Sequence, residues 1–349
     1  MKQFSILIAA LCLCLTGCGK QTTEAAAQIF AMDTVMEVAA YGEHAEQAVK
    51  YTEKRIKELE NRLSRTKADS LVSGLNRDGS IRHLTYDYWN LIARAKEYRD
   101  ATNGAFDITI APIMDAWGFT GDQFRVPEQS ELNELLKHVN SDEIQIQEEP
   151  AHSVTLGEGQ AIDLGGIAKG YTSDLVEQTF RANGIESGKI SLGGNVFVLG
   201  GKPDGSDWRV GIKDPRNESG LAAILSLRDA YAITSGGYER YFEENGKTYH
   251  HIIDPSTGYP ADSGLLSVTV VAADNGPDWA GAGNGAMCDA FSTALFVMGE
   301  EQALDFWRNG GYDFDLVLVT EDGRVVITAG LADRFEEVKD SGYTYETVS

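Results

Sequence analysis

Apolar and polar residues alternate along the chain with two periods, one helical and one typical of strands, and no repeat of fixed length is visible. Helical spacing and terminal signals predict helices at residues 44–65, 88–102, 128–139, 163–183 and 288–298. Period-two alternation and short apolar runs predict strands at residues 29–41, 143–146, 152–156, 189–199, 208–212, 222–227, 231–234 and 265–272, and strand structure within 314–328.

This order of elements mixes hairpins with helices. It favours an α+β fold with mixed, largely antiparallel sheets and packed helices over a doubly wound parallel sheet. We expect residues 29–349 to form one compact body of two interlocked lobes. The preceding residues, 18–28, are polar and Ala-rich and lack periodicity, which predicts a flexible tether.

The first residues resemble an export signal. Lys2 is followed by an apolar run over residues 4–15, which is too short to span a bilayer as a helix but suits a signal-peptide core. Leu-Thr-Gly-Cys at 15–18 matches the bacterial lipobox, which predicts removal of residues 1–17 and a lipid on Cys18. We therefore expect an exported protein anchored to the cell envelope on its periplasmic or extracytoplasmic face; an ordinary cleaved signal with an incidental cysteine is the alternative.

The cysteine count and the net charge limit which covalent bonds and which partners we expect for this chain. After removal of residues 1–17 only Cys18 and Cys288 remain, so we expect no internal disulfide. The formal net charge of −23 argues against nucleic acid as a partner, because phosphate backbones bind clustered Lys and Arg. Any phosphate bound here must be held by backbone N–H groups, a few placed cations or a metal ion.

The densest group of reactive side chains is His-His-Ile-Ile-Asp-Pro-Ser-Thr-Gly-Tyr-Pro at residues 250–260. Ile252-Ile253 is typical of the buried end of a strand, and Asp254-Pro255 turns the chain out of it. This arrangement predicts that His251 lies at a strand end, where catalytic side chains are common. An ordinary Asp-Pro turn with two surface histidines is the alternative.

Glycines precede or follow several predicted elements. Asp-Leu-Gly-Gly-Ile-Ala-Lys at 163–169 opens a helix, and backbone N–H groups at such a start bind phosphate readily. The segment is not a Walker loop, and tight packing of a glycine-rich helix start is the alternative. The glycine pairs at 193–194 and 236–237 each follow an apolar strand, and either pair alone also fits an ordinary turn.

Asp289 and Thr293 are four residues apart at a predicted helix start, so that a carboxylate and a hydroxyl share one face. Hard oxygen ligands in small number, completed by phosphates and water, suit Mg²⁺. By spacing alone, a helix-capping Asp is the commoner explanation. Met32, Phe106 and Trp117 are candidates to line a planar ligand, although core packing is the default role for such side chains.

Taken together, these motifs resemble the FAD:protein FMN transferases, the ApbE family. The matches keep the family's order: Met-Asp-Thr at 32–34, Phe-Asp-x-Thr at 106–109, Trp-Gly-Phe at 117–119, the helix start at Asp163, Ser-Leu-Gly-Gly at 191–194, Thr-Ser-Gly at 234–236, residues 251–258 and Asp-x-x-Ser-Thr-Ala-Leu at 289–295. Asp33 stands where the family has Gly, Cys288 stands where Ala is frequent, and residues 275–285 look like a glycine-rich insertion.

The resemblance implies an enzyme that binds FAD, cleaves its diphosphate with Mg²⁺ and attaches FMN through a phosphoester to a Ser or Thr of acceptor proteins, such as those of membrane redox complexes. It implies His251 as the catalytic base, Asp289, Thr293 and the carbonyl of Gly166 as metal ligands, and FAD contacts from Met32, Phe106, Asp107, Asp163, Lys169 and Ile253. Two alternatives stay open: an FAD pyrophosphatase that releases FMN and AMP, and a flavin-binding lipoprotein without activity.

Overall fold

The computed structural model describes residues 23–349 except 122, 275 and 277–282. Its helices are α1 (Ala45–Leu63), α2 (Leu71–Asp78), α3 (Tyr86–Ala101), α4 (Ala111–Trp117), α5 (Gln129–Leu135), α6 (Ala168–Ala182) and α7 (Asn284–Asn309). Its strands are β1 (Glu24–Ala31), β2 (Thr34–Tyr41), β3 (Ser80–Arg82), β4 (Gln145–Gln147), β5 (Ser153–Thr155), β6 (Ser187–Leu192), β7 (Asn195–Leu199), β8 (Trp208–Asp214), β9 (Asn217–Leu227), β10 (Ala230–Gly236), β11 (Tyr241–Glu244), β12 (Lys247–His250), β13 (Leu265–Ala273), β14 (Asp315–Thr320), β15 (Arg324–Thr328), β16 (Phe335–Glu337) and β17 (Thr344–Val348).

A nine-stranded sheet organises the fold, in the order β1-β2-β6-β7-β10-β13-β14-β15-β17. Every neighbouring pair in it is antiparallel except β15 and β17, which run parallel. Smaller sheets have the orders β16-β9-β8, β3-β5-β4 and β11-β12. The architecture is therefore α+β with mixed, largely antiparallel sheets, as the sequence predicts.

The nine-stranded sheet carries a hydrophobic core on each face. On β14, Leu316 and Leu318 pack with the helices, whereas Val317 and Val319 pack with β8 and β9. This alternation follows from the period of two, which sends successive side chains to opposite faces. A third, smaller cluster forms around Trp117 beside α4, α5, β11 and β12.

Two segments predicted as single strands are hairpins. Residues 29–41 fold into β1 and β2, joined by Met32 and Asp33, whose φ angles are 50° and 58°. Residues 189–199 fold into β6 and β7 around a glycine pair with φ of 60° and 98° at positions 193 and 194. Two-residue turns with positive φ match the twist of antiparallel strands. The first prediction was wrong because Met-Asp is not a recognisable turn sequence, and the second because the glycine pair was placed inside one strand.

Part of the segment that was predicted to be a flexible tether is a β-strand. Residues 24–28 belong to β1 and pair with β2, with Gln28 opposite Glu37. Ala25 and Ala27 are partly buried against the main core, so small side chains concealed the strand pattern. Residues 1–22, with the predicted signal peptide and Cys18, lie outside the described residues. Within the described chain, no helix is both long and apolar enough to cross a membrane.

The helices predicted from periodicity correspond to α1, α3, α5, α6 and α7. The glycine-rich segment before α6 stays non-helical, so the helix begins at Ala168 instead of residue 163. Helix α7 is longer than predicted and is interrupted at Gly299, whose φ is 78°. Of the suspected insertion at 275–285, residues 275 and 277–282 lie outside the described residues, and residues 284–285 form the start of α7.

Candidate active site beside two crossed helices

A cavity of about 540 Å³ opens between the β1–β2 turn, the loop before α6, the end of β10, the loop after β12 and the first turns of α7. This volume lies in the range typical of small-molecule sites. The cavity is lined by every residue that the family resemblance implies for metal, FAD or catalysis: Met32, Phe106, Asp107, Asp163, Gly166, Lys169, His251, Ile253, Asp289 and Thr293. Trp117, the other candidate to line a planar ligand, is instead buried in the third cluster.

The candidate metal-binding residues on α7 are positioned by a close crossing of α6 and α7. A Cβ added to Gly170 would lie 2.1 Å from the carbonyl oxygen of Gly285 and 2.6 Å from the Cβ of Asp289. Because the helices approach so closely, Asp289 Oδ2 accepts a hydrogen bond of 2.8 Å from the Gly170 N–H. Its Oδ1 accepts one of 2.9 Å from the side-chain amide of Asn195. The carboxylate therefore caps the start of α6 while it faces the cavity.

Thr293 lies one helical turn beyond Asp289. Its Oγ1 is 3.5 Å from the position that a Cβ on Gly166 would take, and 3.1 Å from Ser235 Oγ. A carboxylate and a hydroxyl thus lie beside Gly166 at this corner of the cavity. A carboxylate offers about four lone-pair positions, and the hydrogen bonds that Asp289 accepts from Gly170, Lys169 and Asn195 leave at least one of them free.

This oxygen-only donor set fits Mg²⁺, which accepts one or two carboxylates together with water and substrate phosphates. Asn195 Oδ1, buried beside Asp289, has no hydrogen-bond partner among the described residues. Burial also raises the pKa of Asp289, and a cation would offset that cost. In the described chain no three His, Cys, Asp or Glu side chains group closely enough to hold a metal. A metal here would thus depend on one carboxylate completed by neutral oxygens and phosphate.

The loop before α6 is shaped by Asp163. Its N–H donates to the carbonyl of Ile108 at 2.7 Å, and its Oδ1 accepts from the Gly165 N–H at 2.7 Å. Its other oxygen lies 3.5 Å from Arg65 Nη1. Asp163 therefore holds the glycine loop in place and keeps Gly166 next to Thr293.

Four cations line the cavity although the chain is strongly acidic: Arg65, Lys67, Lys169 and Arg240. Arg65 is mostly buried and pairs with Asp115 at 2.7 Å. Lys169 is the second residue of α6, nearer the helix start than the sequence indicated. Sequence reasoning missed Arg65, Lys67 and Arg240, because they belong to no recognisable motif and reach the cavity only through tertiary packing.

His251 follows the last residue of β12. Ile252 and Ile253 are buried but lie beyond the strand, and only Ile253 forms an isolated bridge, with Pro260. The prediction that they end a strand was therefore wrong. Ile252 is buried in the main core, whereas Ile253 is buried in the small cluster around Trp117, whose indole N–H donates to the carbonyl of Gly258 at 2.7 Å.

The backbone fixes the tautomer of His251. Both its N–H and its Nδ1 lie within hydrogen-bond distance of the Arg240 carbonyl, at 3.0 Å and 3.1 Å. A carbonyl oxygen only accepts, so Nδ1 carries the proton and Nε2 keeps a free lone pair. Burial, followed by the nearby charge of Lys169, lowers the pKa of His251 to about 3. The imidazole is therefore neutral at physiological pH.

His250 points away from His251. Its Nε2 is 3.1 Å from the carbonyl oxygen of Ala261, and its ring meets Phe296 edge to face at 5.4 Å between centroids. Asp254 stabilises the loop itself, because its Oδ1 accepts a hydrogen bond from the N–H of Ser256 at 2.8 Å. Of this motif, His251 alone combines a cavity position with an available ring nitrogen.

The aromatic wall is held by a buried carboxylate. Asp107 accepts from Thr109 N–H at 2.8 Å and from Ser141 N–H at 3.1 Å, and its oxygens are turned into the protein. It therefore positions the adjacent Phe106, whose ring lies 3.1 Å from the Cβ position of Gly166. Met32, in the β1–β2 turn, also lines the cavity. Its backbone has a left-handed conformation that is rare for its residue type, and its N–H donates to Glu60 at 3.2 Å.

Comparison with known proteins places these features in one family. The sequence model of the ApbE family matches residues 32–316. The chain is 32% identical over 300 residues to the FAD:protein FMN transferase of Treponema pallidum, covering 81% of this chain and 80% of that one. It is 34% identical over 294 residues to the FAD:protein FMN transferase of Klebsiella pneumoniae, covering 82% of this chain and 86% of that one.

Solved structures agree with the sequence comparison. The ApbE protein of Thermotoga maritima superposes with a TM-score of 0.78 at 31% identity, covering 91% of this chain and 97% of that one. The flavinyl transferase ApbE of Pseudomonas stutzeri, in its apo form, gives 0.73 at 27% identity, covering 86% and 92%. With a family match that spans most of its length and relatives similar over four-fifths of it, this chain belongs to the ApbE family.

Proposed function

We propose that this chain is a Mg²⁺-dependent FAD:protein FMN transferase that attaches FMN through a phosphoester to a Ser or Thr of an acceptor protein. The observation that carries the proposal is that Asp289, Thr293 and His251 line one cavity. Burial raises the pKa of Asp289 and lowers that of His251, and the charge of Lys169 is near enough to both to offset part of the first effect and to add to the second. Metal-binding oxygens, a cation and a free imidazole nitrogen thus surround one space.

The diphosphate of FAD would lie where the positive charge is concentrated. Lys169 would face the phosphates, and Arg65 and Arg240 would add charge from the sides. Asp289, Thr293 and the Gly166 carbonyl would hold Mg²⁺. When bound, the metal polarises the phosphoryl oxygens and neutralises developing negative charge.

The flavin half of FAD would lie against the apolar wall formed by Phe106, Met32 and Ile253. Asp107 and Asp163 then serve as positioning residues, because hydrogen bonds within the protein engage their carboxylates. We infer that they act by holding Phe106 and the glycine loop in place.

In the transfer step the oxygen of an acceptor Ser or Thr attacks the phosphorus of the FMN half. A P–O bond forms there, the bond to the AMP phosphate breaks, and AMP leaves. His251 Nε2 accepts the hydroxyl proton, because its partner nitrogen is tied to the Arg240 carbonyl. Bound diphosphate offsets the charge of Lys169 and so raises the pKa of His251 toward the range useful for a base.

One assay tests the reaction and separates it from its two alternatives. Purified protein is incubated with FAD, Mg²⁺ and a candidate acceptor, and products are followed by in-gel fluorescence, chromatography and peptide mass spectrometry. Transferase activity gives flavin on an acceptor Ser or Thr and one AMP per transfer. Free FMN plus AMP without labelled acceptor indicates a pyrophosphatase, and unchanged FAD indicates a binding protein.

We further propose that the enzyme is a lipoprotein of the cell envelope, where it modifies proteins of membrane redox complexes. Leu-Thr-Gly-Cys at residues 15–18 supports this location. Replacing Cys18 with Ser should leave an unprocessed precursor with no lipid. Mass spectrometry of the mature N-terminus decides the matter, and any start other than acylated Cys18 contradicts the proposal.

A further inference from the structure

Three hydroxyl groups form a chain behind the proposed metal site. Ser292 Oγ lies 2.9 Å from the backbone carbonyl oxygen of Asp289, Ser235 Oγ lies 2.8 Å from Ser292 Oγ, and Thr293 Oγ1 lies 3.1 Å from Ser235 Oγ. Ser292 is completely buried, whereas Ser235 and Thr293 also line the cavity. The chain joins α7 to the end of β10.

The carbonyl at one end fixes the direction of every bond. A carbonyl oxygen only accepts, so the single hydroxyl hydrogen of Ser292 is donated to the backbone carbonyl of Asp289. Ser292 must then accept from Ser235, and Ser235, with its own proton used, must accept from Thr293. The hydroxyl hydrogen of Thr293 is therefore turned toward β10, and its lone pairs are free to face the Gly166 side of the cavity.

We propose that Ser235 and Ser292 are positioning residues that orient the Thr293 hydroxyl as a metal ligand. The inference rests on the proposed function, because it concerns the Mg²⁺ site of that reaction. Without this hydrogen-bonded series of hydroxyls, the Thr293 hydroxyl rotates freely. In part of the population its hydrogen then points toward the cation. With the series in place, the oxygen is arranged before the metal arrives, which lowers the cost of binding.

The test measures metal affinity rather than turnover, with Mn²⁺ as an electron paramagnetic resonance probe titrated into the full mature chain. Ser235→Ala should weaken Mn²⁺ binding about 3- to 10-fold, the effect of losing one orienting hydrogen bond. Thr293→Val should weaken it at least as much. Combining both changes should weaken binding no further than Thr293→Val alone, because Ser235 acts only through Thr293.

A matched control removes a buried hydroxyl that does not itself line the cavity, although its partner, Thr234, does. Thr269 is completely buried on β13, and its Oγ1 lies 2.8 Å from Thr234 Oγ1, so Thr269→Val should leave Mn²⁺ affinity unchanged. Thermal unfolding of each variant shows whether the fold is retained. Should Ser292→Ala fail to fold, Ser235→Ala still decides the question, because Ser235 lies at the cavity surface.

The other outcomes are distinguishable. If Thr293→Val weakens binding but Ser235→Ala does not, or if their effects multiply, the orienting role is overturned and the metal site stands. Unchanged Mn²⁺ affinity in Thr293→Val overturns the ligand assignment and the orienting role together. The transfer assay with FAD and acceptor then judges the proposed reaction on its own.

Discussion

Two buried aspartates, Asp174 on α6 and Asp289 on α7, cap each other's helices across the same crossing. Asp174 accepts from the backbone N–H groups of Gly283, Gly285 and Ala286 at 3.0, 2.7 and 2.9 Å. Asp289 accepts from two backbone N–H groups, those of Gly170 and Lys169, and from one side-chain amide. Both residues are only 3% exposed, and burial raises the pKa of both.

The difference lies in what remains available to a ligand. The oxygens of Asp174 accept hydrogen bonds from the backbone at the start of α7, so this carboxyl group stabilises the fold. Asp289 lines the cavity, keeps at least one lone pair free and lies near Lys169. One local device, a carboxylate at a helix start, therefore becomes a structural cap or a candidate metal ligand according to whether it also lines the active-site cavity.

Asp289→Ala should give the largest effect on activity. Loss of the carboxylate removes several kcal/mol of charge stabilisation from the metal-assisted step, so transfer should fall roughly 10³–10⁴-fold. The rate of AMP release with saturating FAD and Mg²⁺ measures this loss. Asp174→Asn is the matched control and should retain turnover in the fraction that is folded; near-wild-type activity in Asp289→Ala would contradict the assignment.

His251→Ala should lower transfer by about 10²–10⁴-fold, the usual cost of losing a general base. Because His251 lies outside the metal corner, the affinity for Mn²⁺ should stay unchanged, which distinguishes it from Asp289. His250→Ala serves as the neighbouring control, since that ring faces Phe296. Single-turnover flavinylation of both variants decides between them, and an equal or larger loss at His250 means that the wrong histidine was chosen.

Gly170→Ala should disturb both caps at once. The new Cβ would lie 2.1 Å from the Gly285 carbonyl oxygen, so the helices must separate. We expect a loss of about 1–3 kcal/mol in the free energy of unfolding, together with weaker metal binding. Gly74→Ala in α2 is the control, because its Cβ would meet nothing closer than 3.8 Å and helix propensity favours Ala. Urea unfolding of the two variants measures the contrast.

Asp174→Asn should change how stability depends on pH. Burial raises the pKa of Asp174 from 3.8 to about 7, so the folded protein holds this proton more tightly than the unfolded chain. Its contribution to stability is full below about pH 4 and is lost as pH rises through 7. The stability advantage of wild type over the variant should therefore shrink by about 1–3 kcal/mol between pH 5 and pH 8. Urea unfolding at both values tests this, and a constant difference contradicts it.

The sequence predicted helix α7 and the loop that contains His251 because the signals for both are local. Asp289 and Thr293 are spaced by one helical turn, and His251 lies beside a proline-containing turn. Periodicity also found the long helices, and the resemblance to the family identified the residues that line the cavity.

Features that depend on distant contacts were not predictable from periodicity or from motif spacing. The charges of Arg65 and Arg240 reach the cavity only through tertiary packing. The hydroxyl chain from Ser292 to Thr293 needs β10 beside α7, which no sequence spacing reveals. The turn at Met32 was missed for the opposite reason, since its backbone conformation contradicts the preference of its residue type.

The edges of the nine-stranded sheet have a consequence for how the protein is made. Among the described residues, β1 is the first strand and β17 the last, and they form the two edges of this sheet. The sheet is therefore complete only after β17 has followed all of its other strands. A chain that stops before Thr344 leaves β15 without its parallel neighbour and exposes the backbone edge of Val325, Val326 and Ile327. Truncations and fusions at the C-terminus thus act on an aggregation-prone edge, although the active-site cavity is formed by other elements.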